Sequence, residues 1–270
     1  MYDKLNKRLS SVLYLPHGGG PLPLFGDKGH QKMIGFLKNI APKLGEPSAI
    51  VVISAHWEEN QATITSNQSP SLLYDYYGFP DEAYQIEYPV PGDPILAKRL
   101  YDLLLNSGIE AKLDEQRGFD HGVFVPLKIM FPDASIPCVQ LSLLNNMDPE
   151  SHINLGKALS DLRKDNVLII GSGLSFHNMG AFMSQSNLYS DPGNEAFEKW
   201  LIDTCTNESI PQHDREIGLI EWEKAPFARY CHPREDHLLP LHVCFGASNS
   251  AAKLVFDDDV LGKKTCAFLW

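Results

Sequence analysis

Short apolar runs rich in β-branched residues recur along the chain, separated by amphipathic stretches of helical period. Residues 11–15, 49–54, 137–143 and 166–171 predict buried strands, and 253–256 and 265–270 are weaker candidates. Runs this short, apolar on both faces, suit a parallel or mixed sheet covered on each side. Between them, residues 32–40 place Met33, Phe36, Leu37 and Ile40 on one helical face. Residues 94–107 do the same with Leu96, Leu100, Leu103 and Leu104, opened by Asp93-Pro94 and closed near Gly108. Residues 152–163 and 194–205 predict two further helices. This alternation implies an α/β sandwich, with a central, mostly parallel or mixed sheet flanked by helices. No repeat, low-complexity tract or Pro/Ser linker divides the chain, so residues 1–270 read as a single domain. Residues 69–92, rich in Pro, Gly and Tyr, predict a long loop, and long loops in compact domains are commonly functional.

Composition narrows the partners. With 23 Lys+Arg against 34 Asp+Glu the formal charge is −11, which disfavours nucleic acid and anionic membrane surfaces as partners. No apolar run approaches the ~20 residues that span a bilayer. After Met1–Arg8 the run Val12-Leu13-Tyr14-Leu15 ends at Pro16-His17, too short for a signal-peptide core. The 5 cysteines, Cys138, Cys205, Cys231, Cys244 and Cys266, are scattered and never form C-x-x-C. That pattern predicts the reduced thiols of a cytoplasmic protein, not disulfides or a thiolate zinc site.

The 10 histidines are what composition leaves unexplained. Three strand candidates run into one: 11–15 into His17, 49–54 into His56 and 166–171 into His177. In open α/β sheets ligands gather at the carboxyl ends of strands, so these three predict a metal site at one sheet edge. A single histidine there would be unremarkable, a structural residue more often than a ligand. For His237, Asp236 is a candidate N-cap of a helix over 237–247, with Pro240 inside the tolerated first turn. The positive end of that helix would hold the ring neutral, as a metal requires. A plain helix-cap neighbour accounts for His237 equally well. Imidazole sets suit Zn, Cu, Fe and Ni. His121 lies in Phe119-Asp120-His121-Gly122, where Asp120 is a candidate to orient a ring.

His30, His152, His213 and His242 lack such context and read as structural or solvent-exposed. His232, before Pro233, is open between a pocket wall, a supporting role and none. Gly18-Gly19-Gly20 superficially suggests a phosphate cradle, but Pro21 and Pro23 follow and no Lys-Ser/Thr does. Gly171-Ser172-Gly173 predicts a sharp turn before His177. No G-x-S-x-G supports a nucleophile-elbow hydrolase, and Ser172 and Ser175 lack an acid partner. Tyr74, Tyr76, Tyr77, Phe79 and Tyr84 either line an aromatic-accepting mouth or anchor the loop on the core.

Several motifs occur in a fixed order. They are Pro16-His17-Gly18-Gly19-Gly20, Ser54-Ala55-His56-Trp57, Tyr77-Gly78-Phe79-Pro80, Tyr88-Pro89-Val90-Pro91-Gly92, Asp120-His121-Gly122, His177-Asn178 and Asp236-His237-Leu238-Leu239-Pro240-Leu241-His242. This set resembles the 4,5-DOPA extradiol dioxygenase family, within the class III extradiol ring-cleaving dioxygenases, from about Leu13 to Ala247. The resemblance implies one catalytic domain over residues 1–270, with a metal held by His17, His56 and His237. It implies that His177 is an acid/base group or a fourth metal ligand, and that His121 faces substrate or dioxygen. Better-known class III enzymes use two histidines and a glutamate, so Glu235 and Asp236 leave a carboxylate ligand open. The implied metal is Fe(II), with Zn(II) in some purified members. The implied reaction inserts both atoms of O2 into a DOPA-like catechol, with ring cleavage to a semialdehyde. The alternatives are a zinc-dependent hydrolase on the same scaffold and a non-catalytic metal or small-molecule binding protein.

Overall fold

The computed structural model describes residues 9–183 and 190–270; the N-terminal stretch read above for a signal peptide lies largely outside them. The elements that organise the site are strands β1 (Val12–Pro16), β2 (Ala49–Glu59), β3 (Ala62–Thr65), β4 (Ala111–Asp114), β5 (Cys138–Leu144), β6 (Val167–Gly173), β7 (Lys253–Val260) and β8 (Lys263–Leu269). They form one 8-stranded sheet in the order β4-β3-β5-β2-β6-β1-β8-β7. The inner strands β5, β2, β6 and β1 are parallel. On either side β3 runs antiparallel to β5, and β8 antiparallel to β1 and β7, so the sheet is mixed.

Alternate residues of the inner strands feed two cores. Val12, Tyr14, Val51, Ile53 and Ile169 point into one. Leu13, Leu15, Ile50, Val52, Leu168 and Ile170 point into the other. The helices are α1 (Gln31–Ile40), α2 (Pro94–Asn106), α3 (His121–Met130), α4 (Pro149–Leu159), α5 (Met179–Met183), α6 (Pro192–Thr206), α7 (Gln212–Ile220), α8 (Ala228–Cys231) and α9 (Leu239–Ser248). α2, α4, α6 and α9 cover the first face, and α1 and α3 the second. This is the layered α/β architecture that the strand–helix alternation predicts. Among the described residues no helix is long and apolar enough to cross a membrane. All 5 cysteines are free and buried.

The structure departs from the sequence reading in instructive places. β2 does not end at Ser54 but continues to Glu59, with a register shift between Ile53 and Glu58. His56 therefore lies inside an irregular strand, where the disrupted ladder re-aims its side chain. β3 and β4 are four-residue strands that leave almost no alternation to detect. α3 carries Pro126 and is buried on nearly every side, so it shows no amphipathic stripe. α9 begins at Leu239 behind a Leu238 cap that makes no side-chain hydrogen bond. Asp236 is thus not its N-cap, and His237 precedes the helix.

α4 and α9 meet backbone to backbone. A Cβ on Gly156 would lie 2.0 Å from the Val243 carbonyl oxygen, and one on Gly246 2.0 Å from that of Ile153. The G246A substitution should therefore force these helices apart and destabilise the fold by about 1–3 kcal/mol. Chemical denaturation at neutral pH checks this, and an unchanged midpoint would contradict the packing described.

Candidate metal centre

Three chain segments bring histidines together at the carboxyl edge of the parallel strands. His17 follows β1 directly, and His56 sits in the irregular half of β2. His237 arrives from the other side, on the segment before α9. That approach depends on β6. A Cβ on Gly173 would stand 2.2 Å from the His237 carbonyl oxygen, and one on Gly171 2.5 Å from that of Pro240. These glycines do not make the sharp turn expected of them; both are extended residues of β6, and they admit the neighbouring backbone. The His237 carbonyl then accepts from the Leu174 amide at 3.1 Å and the Tyr14 hydroxyl at 3.1 Å.

His17, His56 and His237 each offer a ring nitrogen, all within 4.8 Å of one another. The Nε2 atoms of His17 and His56 face each other at 3.1 Å. Their tautomers follow from what surrounds the other nitrogens. Ser172 Oγ donates to the Gly122 carbonyl at 2.5 Å, so it receives the Nδ1–H of His17 at 3.1 Å. His237 Nδ1 lies 2.9 Å from Asp236 Oδ2, and His56 Nδ1 3.5 Å from Asp75 Oδ2. The Asp236 carboxylate draws the His237 proton to Nδ1, leaving Nε2 as a lone pair, and the Asp75 carboxylate, too far from His56 for a hydrogen bond, favours the same tautomer by its charge. Histidines held this way by carboxylate or hydroxyl partners are typical metal ligands.

Burial keeps the rings neutral. It drives His17 and His237 well below the ordinary imidazole pKa, helped by the neighbouring imidazoles. Burial, then His121, brings His56 down to about 3. His177 is lowered by burial as well, with Asp236 opposing. Facing lone pairs in neutral, desolvated rings fit a cation, and an all-imidazole donor set suits Fe(II) and Zn(II) alike.

His177 does not join the His17–His56 pair, as the strand-end pattern alone suggests. It stacks on His237 with ring centroids 3.4 Å apart and 12° between planes, and it groups with Asp236 and His237. His121 packs against His56, with ring centroids at 3.9 Å. Its orienting carboxylate is Asp75, which accepts from the His121 amide at 2.9 Å and faces its Nδ1 at 2.8 Å. Asp120 points elsewhere. It accepts from Ser54 Oγ at 2.7 Å and from Gln140 and Arg117, bracing the strands behind the site. Asp75 escaped the sequence reading; a lone acid between Tyr74 and Tyr76 in an aromatic loop was the available signal. Burial raises the Asp75 carboxyl, but the His121 hydrogen bond and charge outweigh it and the net shift is downward. Glu235 is paired with Arg229 at 2.6 Å, leaving Asp236 as the carboxylate beside the cluster.

The remaining histidines support the frame. His30 Nε2 accepts from the Gly19 amide at 2.9 Å while Asp27 holds its Nδ1 at 2.7 Å. Gly18, at φ +84°, has the His30 ring 2.7 Å from where a Cβ would sit, so the glycine run makes a tight turn beside the site. His232 is buried with its Nε2 donating to the Ser175 carbonyl at 2.6 Å. His152 and His242 are buried, and His213 is exposed.

Beside the cluster lies a cavity of about 330 Å³, lined by His17, His56, His121, His177 and His237 with Tyr76 and Phe79. A larger hollow of about 700 Å³ along α6 contains no histidine. Of the loop aromatics, Tyr76 and Phe79 reach the cavity, Tyr74 and Tyr84 anchor the loop by hydrogen bonds, and Tyr77 is exposed.

The chain belongs to the family described as the catalytic LigB subunit of aromatic ring-opening dioxygenase, matched over residues 11–266. It is 38% identical to Dioxygenase tasH of Hapsidospora irregularis, over 97% of this chain and 86% of that protein. It is also 38% identical to the 4,5-DOPA dioxygenase extradiol of Beta vulgaris, over 92% of this chain and 91% of that one. The crystal structure of an uncharacterized protein from Escherichia coli K12 superposes with a TM-score of 0.76 at 26% identity, covering 97% of this chain and 99% of that chain.

The depressed imidazole pKa values make an electrostatic prediction for the metal-free protein. The unfolded chain takes up protons below about pH 6.5 that the native rings refuse, so stability falls as pH drops from there toward the native values. For His56 the window runs from 6.5 down to about 3. Between pH 7 and pH 5, H56Q should lose about 2 kcal/mol less unfolding free energy than the unsubstituted chain. Parallel pH profiles in urea denaturation would contradict the neutral assignment.

Proposed function

We propose that this chain is a metal-dependent extradiol dioxygenase acting on a catechol, with His17, His56 and His237 as the metal ligands. The observation that carries the reading is the pair of Nε2 atoms facing each other at 3.1 Å, with His237 beside them, at an aromatic-walled cavity. When bound there, Fe(II) would supply the redox chemistry that joins a catecholate to dioxygen, whereas Zn(II) has no redox change to offer.

The chain's own residues provide orientation, proton transfer and exclusion of water. With its Nδ1–H donated to Asp75, His121 presents Nε2 as an acceptor and takes a catechol proton at that atom. The Asp75 carboxylate stabilises the imidazolium that results, as an aspartate does behind a catalytic histidine. His177, stacked on His237, takes the second catechol proton and returns it to oxygen during ring cleavage. Both atoms of O2 end in a ring-opened semialdehyde acid. Tyr76 and Phe79 flank the ring and keep the cavity dry.

Oxygen uptake by protein reconstituted anaerobically with Fe(II), then given a catechol panel, tests this. Uptake coupled to a coloured ring-opened product is expected, lost in H17A and on replacing iron with zinc. H177A should lower turnover roughly 100- to 10,000-fold while metal content stays unchanged. If that variant emptied the site of metal, His177 would be a ligand and not the proton donor. Turnover retained with zinc and without oxygen uptake would point to hydrolysis. D75N should lower activity by about 10- to 100-fold with metal still bound; activity within two-fold would remove Asp75 from the relay.

A further inference from the structure

Given a catechol at the histidine cluster, the cavity also bears on what the ring carries. We propose that the substrate is a catechol with a short, uncharged, apolar substituent, and not a catecholic amino acid or carboxylate. This rests on the function proposed above and names its substrate class.

Among the described residues no Lys, Arg, Asp or Glu lines the cavity. Beyond the histidines its walls are largely Leu22, Phe79, Leu174, Met179, Val260 and Leu261. These come from separate segments: the turn after β1, the aromatic loop, the end of β6, the start of α5 and the β7–β8 turn. A surface of carbon assembled from that many pieces of chain is a built wall and not one stray side chain.

The nearby guanidinium groups, and the Lys263 ammonium, are already engaged. Arg234 grips Glu58 with both nitrogens at 2.5 and 2.6 Å. Arg117 lies over the Trp57 ring and donates to the His56 carbonyl at 3.1 Å. Arg229 pairs with Glu235 and Glu223, and Lys263 reaches Asp191 at 2.6 Å. The charged groups that do stand at the cluster, Asp75 and Asp236, are carboxylates held by histidines. They repel a substrate carboxylate. Residues 184–189, Ser-Gln-Ser-Asn-Leu-Tyr, contain no charged side chain in sequence.

A carboxylate on the ring's side chain would therefore meet carbon and two aspartates with no cation to pair it, and burial without a partner is costly. An alkyl group gains there, by roughly four-fold in affinity per buried methylene. Size agrees: about 330 Å³ is at the low end of small-molecule sites, enough for one ring and a short tail.

The test uses the zinc-loaded protein, in which binding is read without turnover, by calorimetry under anaerobic conditions. 4-Ethylcatechol should bind at least about 10-fold more tightly than DOPA and than 3-(3,4-dihydroxyphenyl)propionate. On the Fe(II) protein kcat/KM should follow the same order. Met179 is 53% exposed, so M179R can add a cation to the wall without disturbing the core. It should narrow the gap between the propionate and ethylcatechol several-fold. Should M179R not fold, the comparison on the unsubstituted protein stands by itself. DOPA or the propionate binding as tightly as ethylcatechol would overturn the substrate class and leave the dioxygenase reading intact. Tight ethylcatechol binding to the zinc protein with no oxygen uptake by the iron protein would overturn the dioxygenase reading and keep the binding preference. Failure of every catechol to bind would overturn both.

Discussion

Two imidazole Nε2 atoms facing each other at 3.1 Å form the contact around which the rest of this molecule is arranged. Burial and the adjacent imidazoles disfavour a positive charge on either ring. An exchange of tautomers is opposed at His17 by its hydrogen bond to Ser172 and at His56 by the nearby charge of Asp75. The fold therefore presents neutral, converging imidazoles to one point, which is the general condition for preorganised metal binding.

Holding that arrangement is the work of backbone packing more than of side chains. The sheet supplies His17 and His56 from neighbouring regions of one edge, but His237 belongs to the helical layer. Its register with the sheet is set where β6 has no Cβ, through the carbonyl that Leu174 and Tyr14 both engage. The α4–α9 contact, equally devoid of side chain, fixes the same layer from the far side. Geometry at the histidine cluster thus depends on helix packing well outside it.

How much of this the sequence carries depends on the range of the interaction. The inner strands and α1, α2 and α6 announce themselves because their periodicity is local and their burial strong. α3 does not, because burial on all sides erases its stripe, and β3 and β4 are too short to show one. Among the candidate site residues, His17 and His56 are legible from their place at strand ends. His237 needed a motif, because its position depends on glycines some 60 residues upstream in chain order. Asp75 was not legible as the partner of His121, since 46 residues separate them, whereas the adjacent Asp120 looked the better candidate and turns away. Sequence neighbours are not spatial neighbours when a loop folds back over a helix start.

The placement of the cysteines bears on chemical endurance. All 5 are buried. Burial pushes the Cys205 thiol up to about 12, and holds those of Cys138, Cys231, Cys244 and Cys266 higher still. The form that oxidants attack is the thiolate, and here it is scarce at any physiological pH. For a chain proposed to handle dioxygen at an open metal edge, stray oxidants formed there would meet imidazole, methionine and tyrosine before any sulfur able to form sulfenic acid. Damage would then begin at the cavity wall, where exposed Met179 stands, and the core would be spared until after the site itself had failed.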